Sequence, residues 1–175
     1  EPTKEGYDFS GWNEIPETMP AHDVEVFGRF SINTYQITYV VEGEVYATDS
    51  LAYNSTIVPV EGPEREGYTF SWLDVPTTMP AHDVTVYGEF TVNSYDLIYY
   101  VDDVEYKRYT LGYGVAITPE EDPTKEGYTF CGWSEIPEVM PAHNVEVFGS
   151  FSINTYQLTY VVEGEVYATD SLAYN

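Results

Sequence analysis

The side chains in this sequence that could carry chemistry are three histidines, one cysteine, thirty carboxylates and three tryptophans. His22, His82 and His143 could ligate a metal or move a proton, but each stands alone at the end of a Met-Pro-Ala-His tetrapeptide. No Cys or second His lies near any of them to complete a ligand set, so a turn or strand-edge role is expected. Asp23 and Asp83, which follow two of them, suit Asx-type turns before the next strand. Cys131 stands where related segments carry Ser10 and Ser71, and with no Gly-x-Ser-x-Gly pattern it reads as a small packing residue rather than a nucleophile. Asp102-Asp103 and Glu120-Glu121-Asp122 offer hard oxygen atoms to calcium, yet EF-hand spacing is absent and solvated loops are the plainer expectation. No enzyme, cofactor or metal site is expected. Trp12, Trp72 and Trp133 are the candidate ligand contacts, as stacking platforms for a sugar or peptide. Alternation puts each on the strand face opposite the nearby Tyr and Phe; the competing role is core packing. Asn54-Ser55-Thr56 fits a glycosylation sequon by spacing alone.

What positions these residues is a repeat. Residues 1–54 and 122–175 align without a gap and differ at eight positions, while Met19, Met79 and Met140 open the same tetrapeptide at spacings of 60 and 61 residues. A period of this size means an array of similar units. With 43% hydrophobic and 17% aromatic residues, the chain has enough apolar surface to fold in spite of a net charge of -24. Six basic residues against thirty acidic ones would repel phosphate backbones and anionic lipid, so neither nucleic acid nor membrane insertion is expected. A unit this small, without disulfides, must draw its core from aromatic side chains. No apolar run approaches the length of a membrane span and Glu1 opens without a signal-peptide pattern, which suggests an internal piece of a longer chain.

Within one repeat, Tyr35 to Ser50 predicts a hairpin turning at Glu42-Gly43, with Val41 opposite Glu44, Val40 opposite Val45 and Tyr39 opposite Tyr46. The copy from Tyr95 to Thr110 places Glu105 opposite Tyr100, so the buried face should carry Ile37, Tyr39 and Tyr46, matched by Leu97, Tyr99 and Tyr106. The Pro-rich stretch 54–66 predicts a loop with at most an edge strand at Thr56 to Val58. A third strand follows at Gly67 to Trp72. Glu14 to Pro20 leaves room for a single helical turn, and Val24 to Asn33 makes a fourth strand interrupted at Gly28 by a bulge or close approach. The fold class is therefore mostly β, in tandem four-stranded modules, largely antiparallel, with little or no helix.

The strings Pro-Thr-Lys-Glu-Gly-Tyr-Thr-Phe-Cys-Gly-Trp-Ser (123–134) and Met-Pro-Ala-His-Asn-Val-Glu-Val-Phe-Gly-Ser-Phe (140–151) resemble the Listeria-Bacteroides repeat, or internalin B-type B repeat. The resemblance implies small β-grasp-like modules, extracellular on the bacterial cell surface. Two departures, the missing Gly between Ser71 and Trp72 and Asp102-Asp103 in the hairpin turn, bear on the middle copy's geometry. In the family's frame residues 34–93 and 94–154 are complete repeats, 1–33 the back half of one and 155–175 the front half of another. The competing frame joins three modules, 1–54, 62–114 and 122–175. The leading function is a stalk or spacer and interaction module whose partners are neighbouring repeats. In the hairpin-first frame, 155–175 of one molecule could complete 1–33 of the next, head to tail. The alternative is an adhesin-type module that binds a host protein or glycan through exposed aromatics or a sheet edge.

Overall fold

The computed structural model describes every residue from Glu1 to Asn175 and contains twelve strands and no helix. Strands β1 (Tyr7–Trp12) and β2 (Gly28–Ile32) form a two-stranded sheet. Strands β3 (Thr34–Val41), β4 (Glu44–Ala52), β5 (Tyr68–Leu73) and β6 (Val84–Val92) form a sheet in the order β4-β3-β6-β5. The same order recurs as β8-β7-β10-β9 in β7 (Ser94–Val101), β8 (Val104–Gly112), β9 (Tyr128–Trp133) and β10 (Val145–Ile153), and β11 (Thr155–Val162) pairs with β12 (Glu165–Ala173) as a hairpin. Two units result, residues 1–65 with 69–91, and 66–68 with 92–175.

In the first unit both turn residues of the β3–β4 hairpin lie in the left-handed region, Glu42 at φ 52° and Gly43 at φ 87°, as a two-residue turn between twisted strands requires. Val41 faces Glu44 and Val40 faces Val45, but the register then shifts and Tyr39 faces Ala47. Tyr46 is the extra residue of that bulge. It is therefore not the buried counterpart expected of it: Tyr46 is 46% exposed, and its hydroxyl donates to the Glu61 carbonyl at 3.2 Å. Tyr106, at 42%, is displaced by the same shift between Tyr99 and Tyr100.

The centre of each four-stranded sheet is parallel, flanked by antiparallel pairs. Ile37 to Val41 run alongside Val84 to Gly88, and Leu97 to Val101 alongside Val145 to Gly149. A parallel pair needs a crossover, and residues 53–67 supply one. The expected edge strand there shrinks to a bridge between Thr56 and Thr78, held by Ile57 N donating to Thr77 O at 3.0 Å and Met79 N to Ser55 O at 2.9 Å. This docking carries Ile57 and Met79 inward. The core is Ile37, Tyr39, Ile57, Met79, Val84 and Val86, and the second unit repeats it as Leu97, Tyr99, Ile117, Met140, Val145 and Val147. No helical turn forms between Glu14 and Pro20 or in its copies, and Met79 and Met140 reach the core on non-helical chain.

The middle copy's departures are absorbed locally. Asp102 and Asp103 take φ 49° and 65°, a conformation short polar side chains tolerate, and the Asp102 carboxylate accepts the Phe151 amide at 3.0 Å. Gly11 (φ 98°) and Gly132 (φ 93°) sit in bulges of β1 and β9 that re-phase the strand. The bulge returns Trp12 and Trp133 to the face of Phe9 and Phe130. In β5 that glycine is missing, and Phe70 and Trp72, two residues apart, share a face without it. The opposite expectation for the tryptophans is thereby corrected. Gly88 is a close approach: a β-carbon there would run into the Phe70 ring.

Charge works against this fold except in a few pairs. Arg108 bonds Asp96 at 2.6 Å and Glu105 at 2.9 Å, Arg65 bonds Glu42 at 2.7 Å, and Lys107 meets Glu120. Asp96 is held below the usual carboxylate range by the Thr110 hydroxyl and Arg108, Glu120 by Lys107 and the Tyr109 hydroxyl, and Glu42 and Glu105 by their arginines. Depressed folded values mean these pairs help at neutral pH and are lost only as pH falls through them, below about 4. Exposed pairs are worth little each, whereas a net charge of -24 repels itself at every pH well above the pI of 4.1.

Two outcomes are expected. At pH 7 the melting temperature should rise with added salt, and it should also rise as pH is lowered toward about 5 and fall again below about 4; a fall with salt would mean the ion pairs outweigh the repulsion. Met79→Ala or Met140→Ala should cost about 2–5 kcal/mol in denaturant unfolding. Met19, in the same tetrapeptide, is 70% exposed, and Met19→Ala should change stability by no more than about 0.5 kcal/mol.

Candidate functional site

The feature built most consistently is a clamp that joins the base of each hairpin to the two strands before it. Gly6, Gly67 and Gly127, each just before a third strand, take φ of 72°, 75° and 77°. Tyr53, Tyr113 and Tyr174, each just after a hairpin, lay their rings on these glycines so closely that a β-carbon would enter the ring. The asparagine between the fourth strand and the hairpin ties the two together. Asn33 N donates to Gly6 O at 2.9 Å and Tyr53 N to Asn33 O at 2.9 Å; Asn93 and Tyr113 repeat this on Gly67 at 2.8 and 2.9 Å, and Asn154 and Tyr174 on Gly127 at 2.9 and 2.8 Å. An edge-to-face ring pair completes each clamp: Tyr7 with Tyr53 and Tyr68 with Tyr113 at 6.0 Å, and Tyr128 with Tyr174 at 6.1 Å. Lys4 and Lys125 cover the outer Tyr7 and Tyr128 rings at 3.7 and 4.1 Å.

The residues singled out from the sequence lie elsewhere. Trp72 packs 4.9 Å from Tyr39 and donates its indole N–H to Val60 O at 2.7 Å; Trp133 packs 4.9 Å from Tyr99 and donates to Glu120 O at 3.1 Å. Trp12, whose strand pair has no hairpin beside it, is 50% exposed. His82 and His143 each place Nδ1 against the carbonyl of the following residue, at 2.8 and 2.7 Å. That following residue does more than make a local turn. Asp83 accepts the Gln36 amide at 2.8 Å and Asn144 the Asp96 amide at 2.9 Å, which fastens the start of each hairpin to the fourth strand. Aspartate and asparagine are interchangeable here because only the oxygen is used. Cys131 is exposed and borders an open cleft of about 530 Å³ with Asp102 and Asp103. No three His, Cys, Asp or Glu side chains converge as a metal would need, and Glu120 is engaged by Lys107 and Tyr109. Asn54 lies exposed at φ 61° with its amide on Met79 O.

Sequence reasoning passed over the clamp. Its signal was present, since Gly-Tyr, Asn and the late Tyr recur at the same place in all three copies.

The family model of the Listeria-Bacteroides repeat domain matches residues 1–23, 35–88 and 95–142. Internalin H of Listeria monocytogenes is 34% identical over 113 residues, which cover 53% of this chain and 20% of that protein. A protein of Evansella cellulosilytica, named as a membrane protein, is 26% identical over 213 aligned residues that cover 99% of this chain and 31% of the relative. The chain therefore spans a fifth to a third of the length of these relatives. Among solved structures, the Streptococcal High Identity Repeats in Tandem (SHIRT) domains 3-4 from a cell surface protein cover 69% of this chain and 98% of their own, with 16% identity and a TM-score of 0.26. The family match takes in both the Gly-Tyr-x-Phe strands and the Met-Pro-Ala segments over more than half the length, and the chain belongs to the Listeria-Bacteroides repeat family of bacterial surface proteins.

Proposed function

We propose that this chain is a non-enzymatic stretch of tandem repeats on the outside of a bacterial cell, spacing another domain from the surface. The observation that carries this is the clamp. A spacer needs each unit only to fold and to fix its neighbour, and one set of residues does the fixing in all three places. The same proposal takes 34–93 and 94–154 as whole repeats, with 1–33 and 155–175 as halves; the sheet order, which joins each hairpin to the two strands after it, supports that frame. Indoles spent on cores at Trp72 and Trp133 support a spacer over a glycan platform. The adhesin reading rests on Trp12 and on the exposed hairpin edges.

Two measurements test this. Gly67→Val should force a β-branched residue into positive φ and into the Tyr113 ring, costing about 1–3 kcal/mol and speeding amide exchange at Asn93 and Tyr113. Unchanged exchange would remove the clamp from the case. On arrays of glycans and host matrix proteins the chain should show no saturable binding; saturable binding lost in Trp12→Ala would favour the adhesin instead.

A further inference from the structure

The face of the second four-stranded sheet turned away from its core is unlike its counterpart in the first. Alternation sends Leu97 and Tyr99 of β7 inward and Asp96, Ile98 and Tyr100 to the other side. The register brings Arg108 and Glu105 of β8 opposite Ile98 and Tyr100, and Glu146 and Phe148 of β10 beside them. The Tyr100 and Phe148 rings stack with centroids 5.2 Å apart and an interplanar angle of 14°, and Phe148 is 46% exposed. The Tyr100 hydroxyl donates to the Glu146 carboxylate at 3.5 Å. In the first sheet the places of Tyr100, Glu105, Arg108 and Glu146 are taken by Val40, Val45, Thr48 and Thr85, so no ring pair and no charge stands there.

We propose that this face of the second sheet docks a peptide segment that presents arginine, its guanidinium seated against the Tyr100–Phe148 pair and bonded to Glu146. Charge complementarity selects the partner. Three carboxylates face one guanidinium: Arg108 bonds Asp96 at 2.6 Å and Glu105 at 2.9 Å, and Glu146 has no cationic partner. Burial and the Glu146 and Glu105 carboxylates push the Tyr100 phenol up, a sign of negative charge left over around the ring pair. With a net charge of -24 the whole chain draws cations toward it and repels phosphate and anionic lipid. Arginine fits better than lysine because its planar group stacks on rings while its N–H fork takes a carboxylate. A peptide fits better than a free cation because the face is apolar at its centre, where Ile98 is only 6% exposed, and the aromatic pair lies beside it. The spacer reading neither requires nor opposes this, since spacing rests on the clamp and only one of the two four-stranded sheets carries the ring pair.

The test must separate a built face from diffuse attraction to an acidic chain. Fluorescence anisotropy with a labelled peptide of about eight residues, alternating arginine and threonine, should give saturable one-to-one binding at about 0.15 M salt, and lysine in place of arginine should weaken it about tenfold. Phe148→Ser and Tyr100→Val leave the net charge at -24, so diffuse attraction is unchanged, and each should weaken binding roughly three- to tenfold. Tyr87→Ser, at the place of Phe148 in the first sheet, should leave affinity as it is. A gain of function guards against variants that lose binding by losing structure. Val40→Tyr with Thr85→Glu builds a ring pair and carboxylate beside Tyr87 on the first sheet, and should bind a second peptide. Several peptides bound by the parent, equal binding of the lysine peptide, unchanged affinity in Phe148→Ser and Tyr100→Val, or no second site in the double variant would overturn the proposal. So would binding lost in Trp12→Ala and kept in Phe148→Ser, which belongs to the adhesin reading.

Discussion

Everything in a four-stranded sheet depends on its one parallel pairing, β3 with β6 or β7 with β10. Only that pairing sets Ile37 and Tyr39 beside Val84 and Val86, and only against that surface does the crossover bring Ile57 and Met79 to closure. A unit of about 61 residues has little interior to spare. The effect of losing the pairing is visible within the same chain: β2 begins at Gly28, four residues later in the repeat than β6 does, because the backbone ahead of it has no neighbouring strand to bond.

The fourth strand is divided in use at its glycine. In β10, Val145 to Gly149 pair with β7, and from Gly149 onward the strand pairs with β9. Rings of Phe130 and Trp133 sit on that glycine, as Phe70 and Trp72 sit on Gly88, where any side chain would collide with them. The first portion therefore belongs to the core and the second leads through Asn154 to the clamp. Lost side-chain packing at the glycine is compensated by two aromatic rings, which suits a unit with few residues and no disulfide.

Much of this was legible in the sequence, and the misses have a common physical origin. Alternation located the strands, and Glu42-Gly43 located the turn, because these are local properties. Plain alternation puts Trp12 and Trp133 on the wrong face because a single extra residue in a strand inverts everything beyond it, and it overstates the burial of Tyr46, the bulged residue, which touches Trp72 yet stays half exposed; bulges leave only a weak mark in sequence. Met79 and Ile57 were passed over because neighbouring prolines marked both segments as loops; they are loops, but loops bonded across the core. The clamp residues looked like turn formers, and only the recurrence of all three at fixed places separates a turn from a contact.

Core and clamp use different residues. Residues 1–33 have no hairpin and no core, yet Gly6 and Asn33 still hold Tyr53 as firmly as their intact counterparts hold Tyr113. At the other end Tyr174 is clamped on Gly127 while Leu158 and Tyr160, on the same hairpin, stay open to solvent. A hairpin is thus anchored by its base to the two strands before it and by its face to the two strands after it. The two attachments are separable in strength as well as in sequence, because one rests on backbone hydrogen bonds and a ring over glycine and the other on buried apolar area. Each hairpin is therefore held at two independent places, its base by a glycine and an asparagine that precede it and its face by the strands that follow it.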